Sequence, residues 1–257
     1  MSDDISAQAP TSTPAPEGDR VPLNTSPDAA KTPDVDMTDD ETGWRIDAQG
    51  LDDPPEYFAG EPGAQRDEDW IAYLTGTDGD GSTRPFGQAP DAYPNPDAVH
   101  NTALKTIGHA QSQQGTRYCW GGGDTAGPTR GEGDNGGDAT HYHDSQYIGY
   151  DCEGLTRYAV YQATGQDIGE GTGNQLPVLE QTGQTVIPQT SGTVDTSTMQ
   201  PGDILYYGSS GADHCAIYMG NGVTVETNQS GTPAHSQPAD LSGSTDRPIT
   251  VVRPNYI

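Results

Sequence analysis

An α+β domain with an antiparallel sheet is what this 257-residue sequence predicts. Three observations carry the prediction. Helical periodicity marks the stretches from Asn95 to Gly115 and from Cys152 to Gly165, and strand-like apolar runs follow from Ile204 onward. Two of those runs are joined by Gly220-Asn221-Gly222, a hairpin signal. Helices first and strands afterwards favour segregated layers over alternating β and α units. The chain ahead of residue 98 is of another kind. Residues 1–97 carry 22 Asp and Glu against 5 Lys and Arg, with abundant Pro and Gly. Such a stretch cannot bury enough apolar surface to offset its chain entropy. It reads as a long, largely disordered acidic extension preceding a folded domain over 98–257.

Composition also excludes partners. A formal net charge of -27 repels phosphates, so nucleic acid is not the target. No apolar run reaches the length of a membrane span. Three cysteines cannot close a disulfide framework. The opening Met1-Ser2-Asp3-Asp4-Ile5-Ser6 has neither the basic nor the apolar region of a signal peptide. A substrate outside the cell would therefore require a leaderless route from the cytoplasm. The acidity suits a high-salt habitat or a secreted life equally.

Taken in order, residues 1–40 read as a disordered tail. Trp44, Tyr57, Phe58, Trp70 and Tyr73 are anchor-like aromatics; Trp70, Tyr73 and Leu74 are spaced for a short helix that docks on the domain, or for a segment that folds on a partner. Asp78-Gly79-Asp80-Gly81-Ser82 looks like the start of a calcium loop but lacks the Gly at the sixth position and the Glu at the twelfth, so it reads as a solvated turn. Asn95-Pro96-Asp97 is a helix-start signal, with Val99, Ala103, Ile107 and Ala110 on one face and Gly115 as the stop. The Gly121-Gly122-Gly123 turn permits close backbone approach. Residues 124–148 form a Gly-rich, acidic insertion that reads as a lid or cleft wall. A metal site using His141 and His143 with Asp134 and Asp138 is the lesser reading, so no metal or other cofactor is expected. Asp151 caps a helix from Cys152 whose apolar positions run through Leu155, Tyr158, Ala159 and Ala163 to Gly165. Thr172–Val186 reads as a short helix and an extended piece. Strands follow at Ile204–Tyr207, His214–Met219, Val223–Thr227 and Pro248–Arg253.

The chemistry centres on Cys152. A thiol in a first helical turn meets unpaired N–H groups and the positive end of the helix dipole, and both favour the attacking thiolate. A small buried hydrophobe is the competing reading on this stretch alone. A nucleophilic thiol needs a base, and the base needs an orienting partner. His214, opening a strand among small apolar neighbours, is the candidate base; a histidine that merely ends a turn is the alternative. If the hairpin loop has three residues, Ala216 faces Glu226, which makes Glu226 a diagonal neighbour of His214 on one face. Asn228 would lie directly opposite His214 and is the runner-up. A two-residue turn would instead place Thr227 and Gln229 there.

Four ordered signposts over roughly residues 98–253 now resemble one family, the NlpC-type papain-like cysteine peptidases, cell-wall endopeptidases that cut peptidoglycan stem peptides. They are Tyr118 to Gly122 (Tyr-x-Trp-Gly-Gly), Asp151 to Leu155 (Asp-Cys-x-Gly-Leu), Pro201-Gly202-Asp203 before a strand, and His214 to Gly220 (His-x-x-Ile-Tyr-x-Gly). The resemblance implies a papain-like fold with Cys152 as nucleophile and His214 as base. Glu226 falls where the family places its third polar residue, and Tyr118 on the tyrosine that lines the cleft. Backbone N–H groups at the helix start, with help from Tyr118, would meet the oxyanion. Asp151 and Glu153 complete the substrate-facing set.

Two features depart from the family pattern. Glu153 stands where Ser is common; its carboxylate would oppose thiolate formation and would suit a cationic group on the substrate. The 124–148 insertion is the other. The expected function is hydrolysis of a stem-peptide amide at a γ-D-glutamyl bond, without a cofactor. Two alternatives keep the fold. One is a leaderless toxin or effector loaded into a secretion or injection apparatus through residues 1–97, acting on a wall or a protein. The other is a catalytically impaired wall-binding module. Cys119 and Cys215 read as buried free thiols, with a disulfide between them as the lesser reading.

Overall fold

The computed structural model describes residues 63–78 and 81–256. Expectations that fall on residues 1–62, including the tail and the anchors Trp44, Tyr57 and Phe58, lie outside the described residues. Helices α1 (Ala64–Leu74), α2 (Thr102–Gln111), α4 (Cys152–Thr164) and α5 (Thr172–Thr182) pack around a six-stranded antiparallel sheet; α3 (Asp138–His141) is a single turn. The sheet runs in the order β3 (Gln184–Thr190), β8 (Ile249–Arg253), β4 (Ile204–Tyr207), β5 (His214–Gly220), β6 (Val223–Glu226), β7 (His235–Pro238). A two-stranded piece, β1 (Thr129–Arg130) with β2 (Ile148–Gly149), stands apart. This is the expected α+β, papain-like layering. Alternation along the strands splits the apolar residues: Ile204, Tyr206, Cys215 and Ile217 face the helices, whereas Leu205, Tyr207, Ala216 and Tyr218 form a second core behind the sheet.

The fold begins earlier than residue 98. Trp70 is fully buried and joins Tyr73 and Leu74 in the main core, so α1 is part of the domain. Two acidic residues of this stretch, Asp67 and Asp78, are used rather than solvated. Asp67 accepts hydrogen bonds from the His100 and Asn101 amides, and Asp78 pairs with Arg84 at 2.8 Å. Asp78 is therefore part of an ion pair; Gly79 and Asp80 lie outside the described residues. Asn95-Pro96-Asp97 forms a turn, not a helix start. Helix α2 starts at Thr102, where Asn101 Oδ1 accepts from the Ala103 and Leu104 amides. An Asn two residues ahead of those free amides caps better than one six residues upstream.

The β5–β6 hairpin corrects one expectation and keeps its consequence. Gly220 pairs with Val223, so the turn is the two-residue Asn221-Gly222, both with positive φ, as a primed hairpin turn requires. A bulge between Tyr218 and Gly220 then adds one residue on β5. Tyr218 consequently meets Thr224 and Ile217 meets Val225, the register a three-residue loop would have produced. The Pro-Gly-Asp motif also proves structural. Buried Asp203 receives Arg253 Nε at 2.6 Å and Nη2 at 2.9 Å, clamping the start of β4 to the end of β8.

Candidate active site

Helix α4 opens at Cys152 because Asp151 caps it: Asp151 Oδ1 accepts from the Gly154 amide at 2.8 Å. The second oxygen, Oδ2, accepts from the Gly121 amide at 2.9 Å, which ties the Gly-rich turn to the helix start. The two backbones approach so closely that a Cβ on Gly154 would strike the Gly122 carbonyl oxygen. Cys152 is half-buried and forms part of a cleft of about 440 Å³ also lined by Trp120, Gly121, Glu153, Glu170 and Asp213. Trp120 is half exposed at its rim.

His214 lies within hydrogen-bond reach of the Cys152 thiol. Its Nε2 is 2.5 Å from Glu226 Oε2, which leaves Nδ1 as the nitrogen for sulfur. The Tyr207 ring stacks on the imidazole with centroids 5.4 Å apart. Glu226 is buried, and Thr224 Oγ1 donates to its other oxygen at 2.6 Å. Asn228 is not brought to His214. Strand β6 ends at Glu226, and Asn228 is exposed with its side-chain oxygen taken by Thr232 Oγ1 at 2.7 Å.

The electrostatics favour an ion pair. The Cys152 thiol is held well below its ordinary range by hydrogen bonding from Cys215 and by His214, which together outweigh burial. Burial disfavours the imidazolium, yet Cys152 and Glu226 lift His214 to about 10. Burial likewise opposes charge on Glu226, but His214 and Thr224 keep its carboxyl below the ordinary value. Tyr118 is buried beside this pair; burial first, then the charges of Cys152 and Asp151, push its phenol upward, so it keeps its proton and can donate. Burial, then Cys152 and Glu153, raise Asp151 well above the usual carboxylate range. Glu153 is raised to about 7, by burial foremost. A chain of fully buried groups holds it: Tyr206 donates to Gln175 Oε1 at 3.0 Å, and Gln175 Nε2 donates to Glu153 Oε2 at 2.9 Å.

The insertion is a brace rather than a lid. Buried Asp144 accepts from the Trp120 amide at 3.1 Å and from Ser230 Oγ at 2.6 Å, and Arg117 donates to the Tyr142 carbonyl at 2.7 Å. Among the described residues no cluster of three or more His, Cys, Asp or Glu is placed to hold a metal, and no helix is long and apolar enough to cross a membrane. His141 ends α3 and His143 follows in a left-handed conformation, so the extended arrangement that would align them does not form. All three cysteines are free. Sequence reasoning missed Gln175, Tyr206 and Cys215 as neighbours of the site. Only Cys215 carried a signal, its place next to His214.

A family model described as NlpC/P60 matches residues 115–251. Peptidoglycan endopeptidase RipA of Mycolicibacterium smegmatis is 28% identical over 172 residues, 63% of this chain and 30% of the relative. Peptidoglycan endopeptidase RipB of Mycobacterium tuberculosis is 32% identical over 139 residues, 54% of this chain and 48% of the relative. The chain thus spans less than half the length of these curated relatives. Among solved structures, RipD of Mycobacterium tuberculosis, described as a non-catalytic NlpC/p60 domain protein adapted to peptidoglycan binding, matches at 27% identity with a TM-score of 0.44, covering 60% of this chain and 98% of that one.

Proposed function

Because the chain belongs to the NlpC/P60 family, we propose that it is a cysteine endopeptidase that hydrolyses peptidoglycan stem peptides at a γ-D-glutamyl bond. The observation that carries the reading is the buried sequence of contacts from Cys152 through His214 to Glu226, with the sulfur opening onto a cleft. The Cys152 thiolate attacks the amide carbonyl. Amides at the start of α4, helped by the protonated Tyr118 phenol, stabilise the oxyanion. His214 gives its proton to the departing amine, leaving a thioester, and then takes one from the water that hydrolyses it. Glu226 holds the imidazole in the tautomer and orientation this requires. Glu153, beside the sulfur, favours a substrate with a cationic group nearby. A wall substrate lies outside the membrane, so the reading includes export, with the acidic stretch over residues 1–97 as the segment that engages a secretion or injection apparatus.

The test is mass spectrometry of purified stem peptides incubated with the wild type and with Cys152→Ala and His214→Ala. Hydrolysis by the wild type and its loss in both folded variants is expected; full activity in either variant would refute the assignment. Buried Glu153 also gives the wall-binding reading a foothold, since its charge opposes the thiolate. Labelling of Cys152 by a mild electrophile at neutral pH separates the two, because a binding module has no need of a reactive thiol.

A further inference from the structure

Adjacent residues of β5 address the site from opposite faces of the sheet. His214 is directly paired with Tyr207 of the rear core, whereas Cys215 points towards the helices, into the core that holds Leu155, Tyr206 and Ile217. Cys215 Sγ donates to the main-chain carbonyl oxygen of Cys152 at 3.2 Å and lies 3.3 Å from Thr156 Oγ1. Thr156 Oγ1 donates to the same carbonyl at 2.9 Å. Three contacts close a triangle. Its corners are the carbonyl of the reactive cysteine, the residue bonded to His214, and the next turn of α4. Both side chains are buried. Valine would fill such a place in an apolar core without a polar atom. A thiol there differs by one weak donor, and that donor faces the Cys152 carbonyl.

Resting on the reading of Cys152 as nucleophile and His214 as base, we propose that Cys215 and Thr156 are positioning residues that fix the separation of sulfur and imidazole. Consecutive Cα atoms are about 3.8 Å apart across a planar peptide, so anchoring Cys215 to the Cys152 carbonyl leaves His214 little freedom relative to the sulfur. Catalysis is steep in such placement: a displacement of about 1 Å can cost on the order of a hundredfold in rate. The Cys215 main-chain amide also favours the charged form of the Cys152 sulfur, in the same direction as His214. The other titratable groups facing Cys152 are Asp151, Glu153, Tyr118 and Tyr206.

Cys215→Val removes the donor and keeps the bulk, Cys215→Ser restores a donor, and Thr156→Val removes the hydroxyl with little change of shape. Each full-length variant is compared with the wild type in the pH midpoint of Cys152 alkylation by iodoacetamide and in kcat and KM on a purified stem peptide. The other two thiols are fully buried, and burial pushes Cys119 up to about 12, so alkylation at neutral pH reads Cys152. In Cys215→Val the midpoint should rise by about one pH unit and kcat fall about tenfold at unchanged KM. Cys215→Ser should return both most of the way, and Thr156→Val should shift both in the Cys215→Val direction by less. A wild-type midpoint and kcat in Cys215→Val would reduce Cys215 to packing and overturn the proposal. Should Cys215→Val not fold, wild-type values in Thr156→Val overturn it instead. Activity surviving in Cys152→Ala would remove the catalytic reading itself and the positioning role with it. Activity lost in Cys152→Ala but normal in Cys215→Val removes the positioning role alone.

Discussion

Glu153 sits beside the Cys152 sulfur, and burial raises its carboxyl into the middle of the physiological range. Its carboxyl, ordinarily near 4.5, is raised to about 7, so the folded chain keeps a proton there that the unfolded chain has lost. Stability from this group is fully present below about 4.5 and is lost as pH rises through about 7. His214 acts in the same sense over a higher window, because its imidazolium persists to about 10 against an ordinary 6.5. Glu153→Gln should therefore gain on the wild type in melting temperature between pH 4.5 and 7, by the equivalent of roughly 1–3 kcal/mol, and keep that gain above pH 7. Thermal melts across that range check it; a constant difference would mean that the carboxyl titrates normally. In kinetics, an inflection near pH 7 in kcat/KM should disappear in Glu153→Gln, while the fall as His214 deprotonates near pH 10 remains. If Glu153 receives a cationic group, the variant should lose preference for substrates that carry one.

At the scale of elements, the insertion holds the cleft turn in place, and Asp144 is where it does so. Asp144→Ala would leave the Trp120 amide and the buried Ser230 hydroxyl without their acceptor. A lost buried acceptor costs about 1–3 kcal/mol. Urea unfolding should show that loss, with KM raised more than kcat is lowered, since the Trp120–Gly121 rim lines the cleft while His214 is anchored elsewhere. Elements with a local signature were legible in the sequence: the Asp151 cap, the Gly165 stop and the alternation that places Glu226 beside His214. The exact turn was not. A two-residue turn with a bulge and a three-residue loop leave the same register beyond them, and only the backbone tells them apart. Strand β7 was also missed. His235-Ser236-Gln237-Pro238 has no apolar alternation, and it exists because β6 offers it an edge. Gln175 and Tyr206 were hidden for a related reason: their hydrogen bonds to each other and to Glu153 join three elements distant in the chain.

For the molecule as a whole, composition misleads at the boundary it marks most strongly. The acidity of residues 1–97 argues against a core, yet a few well-placed apolar side chains suffice to recruit part of that stretch into one. Trp70, Tyr73 and Leu74 lie on one side of α1 and are buried in the cluster that holds Leu104 and Ile107 of α2. The end of α1 also meets the turn of the β5–β6 hairpin: a Cβ on Gly220 would come within 2.6 Å of the Leu74 carbonyl oxygen, so bare backbone is needed where the two touch. Burying each large apolar side chain contributes roughly 1.5–3 kcal/mol, so removing three at once takes away a sizeable part of the roughly 5–15 kcal/mol by which a domain is stable. A fragment starting at residue 98 also loses Asp67, the acceptor for two amides at the start of α2. Such a fragment should melt at least about 10 °C below the full chain, and it should bind a dye for exposed apolar surface. Equal melting curves for the fragment and the full chain would mean that α1 is an ornament on the domain. Because α1 abuts the turn of β5 and β6, which carry His214 and Glu226, the lost stability should appear as lost activity at temperatures where the full chain still works.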